Sequence, residues 1–283
     1  MELFTLSLLN GISYGLLLFM LSAGLTLIFS LMGVLNFAHT SFYMLGAYLA
    51  YSISRWIGFW PALLLAPLLV GLLGGAFQRI ALHRVRRHGH MAELLLTFGL
   101  ALIIEGLFRQ RFGISGLPYA NPIPGGINLG FMFLPWFRGF IVLVSLVVCF
   151  GTWFVIEKTK LGSYLRAATE NPDVVRAFGI NVPLMITLTY GCGVALAGLA
   201  GVLAAPIYSV SPVMGSSLII VVFAVVVIGG MGSILGSIVT GFGLGIVEGL
   251  TKVFYPEASA TVIFVVMAIV LMIRPAGLFG TAR

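Results

Sequence analysis

Charge is the scarcest property of this sequence. Only 8% of its 283 residues are Asp, Glu, Lys or Arg, where soluble domains carry about 25%. Hydrophobic residues make up 60% and mean hydropathy is +1.14, more apolar surface than a water-soluble fold of this length can bury. The shortage of charge therefore excludes a soluble globular protein. Cysteine is nearly absent as well. Cys149 and Cys192 lie inside apolar runs, with no ligand at metal-binding spacing and no aqueous loop in which to oxidise, so both read as small buried hydrophobes. No Gly-x-x-x-x-Gly-Lys-Ser/Thr loop occurs, which excludes ATP binding and hydrolysis by this chain alone. No catalytic set emerges, and the repeated His-x-x-x-His or acidic clusters of lipid-embedded enzymes are missing. His83, His88 and His90 alternate with arginines that repel a cation, so no metal site is expected.

Basic residues exceed acidic ones, 15 to 8. Nucleic-acid binding needs them clustered with aromatics on a folded surface; here they occupy short gaps between apolar runs, the pattern of cytoplasmic loops flanking membrane helices. The 36 Gly fit the same setting, because small residues let helices approach closely in lipid.

A bilayer is crossed by about 20 apolar residues. Runs of that kind fall near 5–31, 37–54, 61–81, 92–111, 139–156, 184–205, 216–232, 236–254 and 258–273. The second and seventh are short and polar-punctuated, suiting broken or re-entrant helices. The expected fold is all-α, a polytopic transmembrane bundle of eight or nine spans forming a single domain over 1–283. The first run lacks a basic leader and exceeds a signal-peptide core, so it reads as a retained membrane helix.

Arg79, Arg84, Arg86 and Arg87 follow the third run; Lys158, Lys160, Arg166 and Arg176 follow the fifth; Arg274 and Arg283 follow the last. These ten lie on one side, the cytoplasmic one by the positive-inside rule. With nine spans the N-terminus is outside. Residues 112–138, with Pro118, Pro122, Pro124 and Pro135, then form an outer non-helical stretch that either receives a soluble partner or packs on its own helices. Residues 157–182 form the most polar, inner connection. Asn171 suits an N-cap, Pro172 a first turn and Gly179 a C-cap, and Val174, Val175 and Phe178 are expected on one side of a short amphipathic helix.

Inside the membrane, Asn36, His39, Thr40 and Ser41 interrupt an apolar run and are followed by Phe42 and Tyr43. Lipid cannot satisfy such groups, so they face protein or a water-filled path. Gly229, Gly230, Met231 and Gly232 supply close backbone approach and free carbonyls elsewhere. Together these residues are candidates to line a route for a small, mostly apolar solute, with interhelical hydrogen bonding as the plainer role for Asn36 and His39. Met32-Gly33 and Leu45-Gly46 recur as Met231-Gly232 and Leu244-Gly245 at a constant offset, the kind of echo that transporter repeats leave and that a Gly-rich sequence also produces by chance. Glu105 and Arg109, like Glu248 and Lys252, stand four apart with the acid first, the favourable order for an intrahelical pair.

Three segments carry a wider resemblance. GLTLIFSLMGVLNFAHTSFYMLGAYLA (24–50), LRAATENPDVVRAFGIN (165–181), and VVVIGGMGSILGSIVTGFGLGIVEGL with its RPAGLFG ending resemble the branched-chain amino acid ABC transporter permeases, specifically the Liv H-type subunit, over nearly the whole chain. Thr40 departs from the Gly that commonly follows Asn-Phe-Ala-His there. The resemblance implies a bacterial inner-membrane importer with a second homologous permease subunit, two cytoplasmic ATPase subunits that use the ATP, and a periplasmic binding protein that delivers branched-chain or similar hydrophobic amino acids. Arg166, Glu170, Asn171, Pro172, Asp173, Arg176, Ala177 and Gly179 then resemble the coupling helix that docks on an ATPase. The chain itself holds no cofactor and catalyses no reaction. Related importers carry urea, amides or aromatic acids. A rival class, a proton-coupled secondary transporter, would use Glu105, Glu248 or His39 as relay groups and need no ATPase.

Overall fold

The computed structural model describes residues 2–33, 35–128, 130 and 133–280; Arg283, counted above for orientation, lies outside them. Apolar runs become helices because a backbone in lipid must satisfy its own hydrogen bonds. The elements are α1 (Glu2–Met32), α2 (His39–Ile57) and α3 (Phe59–Phe77), which continues through a π turn (Gln78–Leu82), α4 (His83–Val85) and a 3₁₀ turn (Arg86–His88). There follow α5 (His90–Phe112), strands β1 (Gly126–Asn128) and β2 (Phe133–Pro135), α6 (Trp136–Lys158), α7 (Lys160–Glu170) and α8 (Pro172–Ala177). The chain then forms α9 (Val182–Tyr208), α10 (Ile219–Gly229), α11 (Ile234–Phe254) and α12 (Val262–Ile273).

Among the described residues, six segments are long and apolar enough to cross a membrane: Phe4–Ser30, Phe59–His88, His90–Phe112, Trp136–Lys158, Val182–Tyr208 and Ile234–Phe254. The other three expected runs behave differently. The second forms α2, 19 residues long and punctuated by His39, Thr40 and Ser41. The seventh yields an α10 of only 11 residues, ended by the glycines at 229–232, and the last an α12 of 12 residues after a 3₁₀ turn at Pro256–Ala258. The fold is also not purely helical: β1 and β2 pair antiparallel, Ile127 opposite Leu134, inside the proline-rich 112–138 stretch.

The chain divides into two compact units. One comprises the residues up to Ala23, Ala120–Thr152 and those from Ile220 on; the other comprises Gly24–Tyr119 and Trp153–Ile219. In the second unit, α9 packs along α2 and α3, and small residues set the approach. A Cβ on Gly46 would strike the backbone of Gly198, one on Gly201 the Tyr43 carbonyl, and one on Gly74 the Val194 side chain. Ile28, Phe42, Val70, Leu165 and Tyr190 fill the core around them. Leu117 and Val210 exchange two backbone hydrogen bonds, of 2.8 and 3.0 Å, tying the start of the proline-rich stretch to the segment after α9. In the first unit, Gly11 and Gly15 of α1 meet Gly245 and Gly249 of α11 at backbone contact, and Ser145 of α6 donates to the Met20 sulfur at 3.3 Å.

Two expectations on cysteine separate here. Cys149 is buried, whereas Cys192 on α9 is exposed. In lipid a small thiol faces outward as readily as inward, so an apolar run does not tell which.

Candidate functional site

The break between α1 and α2 is built on Gly33, whose φ of +67° a side chain would strain. Beyond it the chain is held by two neighbouring helices. Asn36, 2% exposed, donates from Nδ2 to the Tyr190 hydroxyl of α9 at 2.8 Å. Its own Oδ1 accepts from the Ala38 amide at 3.1 Å, closing a local turn that opens α2. The Phe37 amide donates to Thr97 Oγ1 of α5 at 3.3 Å. Thus both orphaned backbone and side-chain groups at the break find partners, as burial in a low-dielectric interior requires. His39, Thr40, Ser41, Phe42 and Tyr43 follow in the first turns of α2, all buried. The His39 ring lies against Gly24, the Thr40 carbonyl against Gly215 and the Tyr43 carbonyl against Gly201. The structure therefore gathers Asn36, His39, Thr40 and Ser41 with Phe42 and Tyr43 into one buried cluster within the second unit.

Gly229, Gly230, Met231 and Gly232 belong to the first unit, where they join α10 to α11. Gly230 and Gly232 both have positive φ, +99° and +92°. The Ser233 hydroxyl caps α11 by accepting from the Gly236 amide at 3.0 Å. The carbonyls that α10 leaves free are taken up by the distant tail: Leu278 N donates to Ile228 O at 2.8 Å and Phe279 N to Gly229 O at 3.1 Å. The Gly-Leu-Phe-Gly ending is thus the C-terminal cap of a broken helix. The sequence echo has a matching local form at both places. A glycine of positive φ follows Met32 and Met231, and thirteen residues after each break the glycines Gly46 and Gly245 make backbone-close helix contacts in their own unit.

The polar connection forms two helices rather than one. Asn171 Oδ1 accepts from Val174 N at 3.2 Å and caps α8 with Pro172 in its first turn; Gly179, φ +81°, closes it. Arg166 pairs with Glu157 at 3.7 Å and Arg176 with Asp173 at 3.2 Å, while Thr169 Oγ1 donates to the Ser30 carbonyl of α1 at 3.2 Å. One expectation is corrected. Val174, Val175 and Phe178 do not share a side: Val175 is buried with Ala168 and Val182, whereas Val174 is 49% and Phe178 81% exposed. Residues four apart stack along one face of a helix and their neighbour at 175 points about 100° away, so α8 is anchored inward by one valine and shows an apolar pair outward.

The expected intrahelical pairs form, Glu105 with Arg109 at 2.6 Å and Glu248 with Lys252 at 2.5 Å; the Lys252 ammonium also sits 5.5 Å over the Tyr14 ring. Sequence reasoning missed Glu93. It lies inside the run 92–111 and is 1% exposed, with Arg86 and His90 each 3.8 Å away and neither carboxylate oxygen hydrogen-bonded. Its charge within an apolar run was the available signal. Also missed were two cavities of about 380 and 510 Å³ that share Gln78, His83 and Pro183 in their walls. Among the described residues no group of His, Cys, Asp and Glu is placed to hold a metal ion.

The family model described as "Branched-chain amino acid transport system / permease component" matches residues 7–272. The chain is 28% identical to the high-affinity branched-chain amino acid transport system permease protein BraD of Pseudomonas aeruginosa, covering 96% of this chain and 94% of that protein. It is 30% identical to the probable branched-chain amino acid transport permease protein LivH of Methanocaldococcus jannaschii, over 96% and 91%, and 26% identical to LivH of Escherichia coli, over 96% and 94%. No solved structure matches the chain.

Proposed function

Since the chain belongs to the family of branched-chain amino acid transport permease components, we propose that it forms half of the translocation path of an ABC importer for branched-chain or similar hydrophobic amino acids. In this reading it sits in the bacterial inner membrane beside a second, homologous permease subunit. Two ATPase subunits dock on the cytoplasmic face and a periplasmic binding protein delivers the solute. All nine apolar elements act as membrane segments, six as full spans and α2, α10 and α12 as shorter or broken ones. The chain works as a single permease domain, with 112–138 periplasmic and 157–182 cytoplasmic.

The observation that carries the reading is the exposed pair Val174 and Phe178 on an otherwise charged segment. A large aromatic held out by a capped helix is the form of an interaction anchor; the buried Val175 ties α8 to its neighbours, and the Thr169–Ser30 bond ties the preceding α7 to α1. Residues from Arg166 to Gly179 couple ATPase closure to the helices. Closure of the ATPase pair moves α8 as a lever, and the bundle rocks to open the path to one side and then the other. Residues 36–43 and 229–232 supply the polar groups and glycine breaks of that path. The chain performs no covalent chemistry, and ATP is used by its partners.

The test is uptake by vesicles holding the chain with its partner subunits. Leucine entry should require ATP and the binding protein, and Glu170→Ala or Arg176→Ala should leave ATP hydrolysis running while uptake falls. Uptake that persists without ATP and collapses with the proton gradient would select the secondary-transporter alternative.

A further inference from the structure

The paired cavities where α3 and its continuation meet the start of α9 lie outside the proposed path, and one of them shares a wall with the α7–α8 segment. Their walls carry Arg79, His83, Arg86, Arg87 and Arg176, and among the described residues no carboxylate lines either one. The nearby acids are already engaged, Glu93 with Arg86 at 3.8 Å and Asp173 with Arg176 at 3.2 Å. Arg79 and Arg87 have no ion-pair partner among the described residues. Cations gathered in one concavity raise its potential and attract a counter-charge. The volumes, about 380 and 510 Å³, exceed what a single ion fills and match an organic ligand.

The flanks of the two helices that bear the cavities identify which anion fits. Leu72 and Ile80 on the α3 side and Leu184 and Leu188 on α9 are exposed, and Leu184 itself lines the second cavity. These residues stand on two of the six membrane-length segments, so the hydrocarbon beside the basic walls is the flank of a span, which a soluble partner does not cover. We propose that the cavities hold the phosphate headgroup of an anionic phospholipid, whose acyl chains lie along the exposed leucines of α3 and α9. Basic pockets between membrane helices recognise such headgroups by charge. Because Thr169 and Arg176 belong to the same wall, the lipid would brace the α7–α8 segment against the end of α3. The proposal requires only a membrane-embedded chain and stands whether or not α8 is a coupling helix.

The experiment uses the purified full chain, incubated with equal amounts of phosphatidylglycerol and phosphatidylcholine and read by native mass spectrometry. Wild type should retain phosphatidylglycerol about tenfold over phosphatidylcholine, Arg79→Gln/Arg87→Gln should lose that preference, and Arg79→Lys/Arg87→Lys should keep most of it, as expected for a charge-dominated site. Arg79 and Arg87 are exposed, and Arg87→Gln alone, with an intermediate loss, serves if the double variant does not fold. Equal retention of the two lipids by wild type, or an unchanged preference in the Gln variants, overturns the proposal. Complete displacement by millimolar inorganic phosphate makes the occupant a free anion, and displacement by added ATPase subunits makes the cavity a protein-docking site; either result refutes the lipid assignment.

Discussion

The Asn36 amide donates to the Tyr190 hydroxyl at 2.8 Å across 154 residues of sequence, with both groups buried. This bond fixes the α1–α2 break to the middle of the second unit. Tyr190→Phe leaves the Asn36 amide without its acceptor and should cost about 1–2 kcal/mol, the range for a polar group orphaned in a protein or bilayer interior. Thermal unfolding in detergent reads it, and Asn36→Leu combined with Tyr190→Phe should cost less than the two single changes added together. Strict additivity would mean the pair does not interact.

Gly46 and Gly99 offer a paired contrast. A methyl on Gly46 meets the Gly198 backbone, whereas a methyl on Gly99 meets nothing within 4 Å. Gly46→Ala should destabilise by about 1–3 kcal/mol through forced separation of α2 and α9. Gly99→Ala should be neutral or stabilising by up to about 1 kcal/mol, the helix preference for Ala. Melting temperatures moving alike in both variants would contradict the packing.

At α8, Val175 and the capping residue Phe178 should separate stability from association. Val175→Ala opens a small gap in a buried cluster and should cost about 1 kcal/mol. Phe178→Ala should leave the melting temperature unchanged yet weaken co-purification of the ATPase subunits at least about tenfold, as loss of an aromatic anchor does. Unaltered co-purification would remove α8 from the docking surface.

Glu248 is nearly buried and depends on Lys252 at 2.5 Å. Lys252→Met should be more damaging than Glu248→Gln/Lys252→Met, because the single change leaves a carboxylate uncompensated. Uptake by the double variant should keep the wild-type response to a proton ionophore. A change in that response would give the carboxylate a proton-relay role.

The apolar runs, the Asn171 cap and the intrahelical ion pairs were legible in the sequence because each depends on residues within a turn or two of one another. The facing of helices was not. In lipid the side of a helix toward protein and the side toward the acyl chains are equally apolar, so Cys192 could not be told from Cys149; on α8 the adjacent Val174 and Val175 are the same residue type, and only the packing of Val175 on Ala168 and Val182 separates them. Partners such as Tyr190 for Asn36 and Thr97 for Phe37 lie too far along the chain for spacing to suggest them. The RPAGLFG ending stood out only as part of a resemblance; that Leu278 and Phe279 cap α10 had no signal, since a carbonyl's need for a donor is written in the backbone.

That cap has a consequence for the order in which the molecule is made. The free carbonyls of Ile228 and Gly229 receive their donors from residues fifty positions later. During synthesis α10 and the glycine break therefore leave the ribosome unfinished, and the break acquires its final shape only when Leu278 and Phe279 have emerged. A chain halted short of those residues would already possess its membrane segments while lacking the donors that close the α10–α11 break.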